Sequence, residues 1–270
     1  MSAVPPMCRV VGGWVQPWTP RALVEWSAER ALHGRRVLLG NHNMHSLALL
    51  AQTPAMQRFY QRCDGVFVDG MPLITLARLQ GHRFGRLHRN TLVDWLPLVV
   101  RRVAAEGGRW CHVGGDPATV DRGIHGLVAG GWLPRRPETV LLSGFFDSTP
   151  GSTGWNATVA TINRCRPALL TVGMGMPRQE LFLASAIDHL DVGLAMTVGG
   201  WLDIYVENRP WPPRWMGRCG LEWMHRLWLE PRRVGRRYLV EPWGLLPRVV
   251  SDLGRRGWRR SARPDQLDPG

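Results

Sequence analysis

Short apolar runs alternate along this chain with stretches whose apolar positions recur every three or four residues, the mark of strands alternating with helices. The runs Val37–Leu39, Gly65–Val68, Arg109–Val113, Val140–Leu142, Ala168–Val172 and Gly193–Val198 each predict a buried strand. Thr19 and Pro20 predict an N-cap and first helical residue, opening a helix through about His33. Further helices are predicted over Met71–Gly81, from the cap Asp116 and Pro117 to about Ala129, near Gly154–Arg164, and from Pro177 onward. Residues 1–20 are proline-rich and predict irregular chain or an edge strand. The pattern defines an α/β core over residues 1–205, a mostly parallel Rossmann-like sheet with helices on both faces. It changes after residue 205: prolines at 210, 212 and 213 break the chain, and two amphipathic, arginine-loaded helical runs follow. Residues 206–262 are read as a basic helical appendage and 263–270 as a disordered tail.

Charge sharpens that division. The formal net charge is +13, and every basic residue is arginine. Between Val206 and Arg263 there are 14 Arg against five acids, so most of the excess belongs to the appendage. Six of the 14 tryptophans share that segment. Arginine interleaved with tryptophan suits an anionic membrane surface or a nucleic acid, whereas a solvated helix face would not spend tryptophan in this way. The five cysteines are far apart and no Cys/His cluster has zinc spacing, so neither disulfides nor a structural metal is expected. The N-terminus lacks the pattern of a signal peptide, and no apolar run approaches a membrane span. A cytoplasmic protein, peripheral on the inner face of the membrane, is the expectation.

Candidate chemistry gathers where predicted strands end in polar or glycine turns, the edge at which open α/β sheets bind ligands. Asn41 and Asn43 follow the first strand, Asn43 reading equally as a helix N-cap. His42 and His45 have no acid or cysteine at ligand spacing and are read as surface or turn histidines. Asp69 enters an Asp-Gly turn, which serves a turn or a reaction. Arg86 lies in a basic patch, where it could grip a diphosphate or be an exposed loop residue. The turn Gly114-Gly115-Asp116 could cradle a phosphate at a helix N-terminus. Gly144 and Phe145, in the loop after Val140–Leu142, read as core residues. Gly173 and Gly175 allow close approach of backbone to a ligand, but Arg178 and the absence of a strand-end acid defeat a dinucleotide fingerprint. Gly199, Gly200 and Asp203 look like the wall of a polar site.

The string VGGWLD…PRWM…LEWMHRLWLEPRRVGRRY resembles the signature of the WecG/TagA/CpsF glycosyltransferase family (glycosyltransferase family 26). Leu221, Glu222, Trp223, Arg226, Leu227, Glu230, Pro231, Arg232, Arg236, Arg237 and Tyr238 fall on its pattern. Gly173, Gly175, Pro177, Arg178, Gln179 and Glu180 match its G-x-G-x-P-[KR]-Q-E motif in full. Asp69, 26 residues after Asn43, stands where the family places its proposed catalytic base. Asn41 stands where the family usually has threonine, His45 where it has glutamate, and Arg89-Asn90-Thr91 replaces a G-x-D turn, with Asp94 as a shifted counterpart.

The resemblance implies an inverting hexosyltransferase of cell-surface polysaccharide synthesis. Its donor would be a UDP-sugar, of N-acetylmannosamine type or related, and its acceptor a polyprenyl-diphosphate-linked sugar. Asp69 would take the acceptor proton. Asn41, Asn43, Arg86, Gly144, Gly173, Gly175, Gln179, Gly199, Gly200 and Asp203 would line the donor site. Arg226, Arg232, Arg236 and Arg237 would neutralise the diphosphate. The sequence has no D-x-D, and metal-independent turnover without a cofactor is implied. An anionic membrane surface is an expected partner, nucleic acid is not, and a homo-oligomer is left open. Two other classes compete: an Arg/Trp nucleic-acid-binding protein, which gel shift against liposome flotation would separate, and a nucleotide-dependent oxidoreductase, which NAD(P)H absorbance would reveal.

Overall fold

The computed structural model describes residues 4–206 and, beyond them, 216, 224, 227, 228, 231, 235, 241–245 and 247–251. Arg226, Arg232, Arg236 and Arg237 lie outside the described residues, as does most of the appendage. The chain opens with an antiparallel hairpin of β1 (Cys8–Val10) and β2 (Gly13–Val15), where irregular chain or one edge strand was expected. Its two turn residues, Val11 and Gly12, are both left-handed (φ 47° and 84°), the handedness that suits a two-residue hairpin. The hairpin is held against the sheet edge by Gln16, whose N–H donates to Val66 O (2.9 Å) and whose Oε1 accepts from Val66 N (2.8 Å).

α1 (Pro20–His33) starts as predicted, with Thr19 Oγ1 accepting from Ala22 N. There follow β3 (Val37–His42), α2 (Met44–Gln52), α3 (Pro54–Arg62), β4 (Gly65–Val68), α4 (Met71–Leu79) and α5 (Leu92–Ala105). Then come β5 (Trp110–Gly114), α6 (Pro117–Ala129), β6 (Thr139–Leu142), α7 (Thr153–Cys165), β7 (Leu169–Gly173), α8 (Arg178–Ala186) and β8 (Leu194–Thr197). Strand β3 runs three residues further than its apolar run, because Asn41 and His42 keep the register with Phe67 and Val68 of β4. Helices α3 and α5 were not anticipated. The second carries Pro97 in its body, a residue that reads as a helix stop.

β3 to β8 form one parallel sheet in the order β4-β3-β8-β7-β5-β6. Alternate residues of each strand feed opposite faces: Leu38, Val66 and Val68 pack with α2, α3, α4, α7 and α8, whereas Leu39 and Phe67 pack with α1, α5 and α6. The expected parallel α/β sheet with helices on both faces is thus present. Leu245, at the end of a 3-10 turn over Glu241–Leu245, is buried in the first of these cores and Arg248 donates to Ala51 O, so the far end of the chain returns to α2. Among the described residues, no helix is long and apolar enough to cross a membrane.

Candidate active site at the carboxyl edge of the sheet

Strands β3 and β4 end side by side. Past His42 the chain leaves β3 at Asn43, whose Oδ1 accepts from Ser46 N (3.0 Å) while Ser46 Oγ accepts from Asn43 N (2.9 Å). This reciprocal box makes Asn43 the cap of α2. Asn41 is almost fully buried; its Oδ1 accepts from Thr197 Oγ1 of β8 (3.2 Å) and its carbonyl from the Tyr60 hydroxyl (2.8 Å). His42 is not a surface or turn histidine. It is fully buried at the end of β3, stacked on Tyr60 at 3.8 Å and bonded through Nδ1 to Ser46 Oγ (2.9 Å). Burial lowers its pKa to about 3, so the ring is neutral. His45 is half-buried, one residue into α2.

Asp69 takes the next step of the β3–β4 register: its N–H donates to His42 O (2.9 Å), which sets it level with Asn43. It is half-buried. Gly70 follows at φ 102°, a conformation open to glycine and closed to most other residues, and turns the chain at once into α4. The carboxylate therefore stands on a strand end fixed by pairing on one side and by a sharp turn on the other. Arg86 is exposed, in the 3-10 turn Arg86–His88. That segment is tied to the same strand end, where Asn90 N donates to Val68 O (2.9 Å) and buried Asn90 Nδ2 to Trp18 O (2.9 Å). Asp94, in the first turn of α5, pairs with Arg89 at 3.6 Å.

Of the other four strands, β5 and β7 end on Gly114 and Gly173, and β6 and β8 reach Gly144 and Gly199 two residues past their ends. A Cβ on Gly114 would lie 2.5 Å from Gly173 O, one on Gly144 2.8 Å from Gly115 N, and one on Gly173 would strike Gly199 O. The ends of β6, β5, β7 and β8 are thus packed backbone to backbone, a floor that a side chain at Gly114, Gly144 or Gly173 would break open. From this floor the chain leaves β5 into α6 on one face and β7 into α8 on the other. Such divergence opens a crevice at the carboxyl edge between the two strands. Of the residues singled out in the sequence, Asn41, Asn43, Asp69, Gly144, Gly173, Gly175, Gln179, Gly199, Gly200 and Asp203 all belong to this edge or to the turns leaving it. Asp203 is half-buried in the 3-10 turn Leu202–Tyr205, which packs on α6 where Gly123 and Gly126 admit its backbone.

Arg178, the first residue of α8, donates to Phe146 O and lies over the Phe146 ring (5.6 Å), binding the loop after β6 to α8. This leaves Gly144 buried and Phe145 exposed. Gln179 is buried: its Oε1 accepts from Gly199 N (3.1 Å) and its Nε2 donates to Glu180 Oε1 (2.8 Å). Tyr60, Thr197 and His112 join the polar layer under the edge, although the sequence reading passed over them. Their only sequence signal is a polar side chain inside or beside an apolar run. His112 Nδ1 bonds to Thr171 Oγ1 (2.9 Å), and burial lowers its pKa to about 4. A groove of about 480 Å³ lies to one side, between Ala55 and Arg58 of α3, the loop at Ser148–Pro150, and Leu181 of α8. It does not contain Asp69, whose surroundings indicate the site better because strand ends, turns and a carboxylate converge there.

This edge has a half-buried carboxylate on a fixed strand end, a backbone floor further along it past β3, and buried neutral histidines beneath. It is equipped to accept a proton from a hydroxyl and to seat a polar, flat-bottomed ligand. The family model for glycosyl transferases of the WecG/TagA/CpsF type matches residues 8–259, which takes in the hairpin, the whole sheet and most of the appendage. The chain therefore belongs to the WecG/TagA/CpsF glycosyltransferase family, and is a transferase of cell-surface polysaccharide synthesis.

Proposed function

We propose that this edge transfers a hexosyl group, of N-acetylmannosamine type or related, from a UDP-sugar to a sugar on a polyprenyl diphosphate, with inversion. The observation that carries the reading is the placement of Asp69 at the end of β4, level with Asn43, on the same carboxyl edge of the sheet as the crevice between β5 and β7. Asp69 takes the proton of the acceptor hydroxyl as its oxygen attacks the anomeric carbon. The bond from that carbon to the diphosphate oxygen breaks, and UDP leaves with the electron pair. Arginines neutralise the charge that grows on the diphosphate: Arg86 from the core and Arg226, Arg232, Arg236 or Arg237 from the appendage. Arginine then does what a divalent cation does in other transferases, in keeping with the lack of a D-x-D in the sequence. Asn41, Asn43, Gly144, Gly173, Gly175, Gly199, Gly200 and Asp203 line the donor side.

The acceptor carries its lipid in the membrane, so the reacting hydroxyl stays near the headgroups and the enzyme works at their surface. Trp228 and Trp243 of the appendage are 77% and 67% exposed, and the segment is strongly basic. Exposed tryptophan among arginines suits the interface of an anionic bilayer on its cytoplasmic side. The test is transfer from a panel of UDP-sugars to a short-chain diphospholipid-linked acceptor, with and without EDTA. The expected result is transfer from one donor with inverted anomeric configuration, unchanged by EDTA. Loss of turnover in EDTA and its return with Mg²⁺ or Mn²⁺ would overturn the arginine reading.

A further inference from the structure

The first turn of α8 carries two polar side chains that solvent does not reach, Gln179 at 1% exposure and Glu180 at 0%. Both polar ends of the Gln179 amide are engaged inside the protein, one on Gly199 N and the other on Glu180. That changes the role expected of Gln179: it reaches the donor side through the backbone of the Gly199 turn. The direction of the amide is what matters. A carboxylate oxygen only accepts, so Glu180 draws the NH₂ end of Gln179 toward itself and leaves Oε1 facing the Gly199 N–H. Turned the other way, the amide would set NH₂ against N–H and the turn would lose its anchor.

The anchor sits at a decisive point. Val198 still pairs with β7, its N–H donating to Val172 O (2.8 Å), and Gly199 is already left-handed (φ 54°). The Gly199–Gln179 bond is thus the last tie before the chain enters the turn that carries Gly200 and Asp203. Trp201, 2% exposed, closes the far side against Trp110. We propose that Glu180 is a positioning residue for sugar transfer, orienting Gln179 so that the Gly199–Gly200 turn is held in place for the donor. The same carboxylate lies by Tyr60 and Cys63. Burial first raises the pKa of both; the Glu180 charge comes next at Tyr60, whereas at Cys63 it follows that of Asp64, and the Tyr60 hydroxyl donates to Asn41 O.

The inference rests on reading this turn as part of the donor site, and the test separates the two. Glu180→Ala, Glu180→Gln and a control in the same helix, Leu183→Val, are compared with the wild type in peptide-resolved hydrogen exchange at Gly199 and in donor KM and kcat. In Glu180→Ala, the Gly199 amide is expected to exchange about tenfold faster and donor KM to rise about tenfold. Glu180→Gln keeps an acceptor for Gln179 and is expected within about threefold of wild type in both. Leu183→Val is expected to lower the melting temperature and move neither. Unchanged exchange at Gly199 in Glu180→Ala overturns the proposal, as does a Glu180→Gln protein as impaired as Glu180→Ala. If exchange responds as expected while donor KM matches the Leu183→Val control, the brace exists but the turn does not serve the donor, which overturns the positioning role. If the wild type turns over no UDP-sugar, the donor reading fails, and exchange at Gly199 still decides the orientation of Gln179.

Discussion

Asn43 is a helix cap in the structure and a donor ligand in the proposal, and a single atom separates the two roles. Its Oδ1 caps α2, a contact that asparagine and aspartate make about equally well. Its NH₂ group is what a bound donor could use. Asn43→Ala should cost about 1 kcal/mol of stability through the lost cap. Asn43→Asp should keep unfolding within about 0.5 kcal/mol of wild type, yet place a second carboxylate beside a donor diphosphate and weaken its binding. Urea unfolding and UDP titration of both variants check this; equal donor affinity in Asn43→Asp and wild type would leave Asn43 as a cap alone. His42 makes the converse point. Its neighbours in sequence are polar, but Tyr60 and Ser46 arrive from α3 and α2 to bury it, and no local pattern announces that.

At the scale of elements, Gly144, two residues past the end of β6, differs sharply from Gly85. A methyl group on Gly144 meets the backbone of Gly114 and Gly115 within 3.1 Å, whereas one on Gly85 meets nothing within 4 Å. Gly144→Ala should destabilise by about 1–3 kcal/mol, because backbone has to give way. Gly85→Ala should stay within about 0.5 kcal/mol, both being read by urea unfolding. The strands and most helices were legible because each is written locally: α1 carries its own cap and proline, and β4 is an apolar run ending in Asp-Gly. The hairpin, α5 and the end of β3 were not. In each, tertiary contact overrides a local signal: Gln16 fastens a proline-flanked hairpin to β4, packing of Trp95, Val99 and Val103 carries α5 past Pro97, and pairing with β4 keeps Asn41 and His42 in a strand. The motif at α8 was legible as a motif, but the partner of Gln179, twenty residues away at Gly199, is visible only once β7 and β8 lie side by side.

For the whole molecule, the buried histidines set a stability limit on the acid side. His42 and His112 have folded-state pKa values of about 3 and about 4, below the ordinary 6.5 that they regain on unfolding. Between those values the unfolded chain binds more protons, so stability falls as pH drops below about 6.5. From pH 6.5 to 5 each histidine should cost about 2 kcal/mol, seen as a falling urea midpoint at constant slope. A midpoint that does not move over that range would contradict the burial of both rings. In the appendage, Trp228→Ala/Trp243→Ala should reduce flotation with anionic vesicles several-fold while leaving the melting temperature unchanged. Equal flotation would place membrane contact elsewhere.

The most direct test of the account is the Asp69→Asn variant in the sugar-transfer assay, with UDP affinity measured on the same protein. The account predicts a fall in kcat of about 10²–10⁴-fold, since the amide cannot take the acceptor proton, with UDP affinity retained. Transfer at the wild-type rate would contradict it and remove Asp69 from the chemistry.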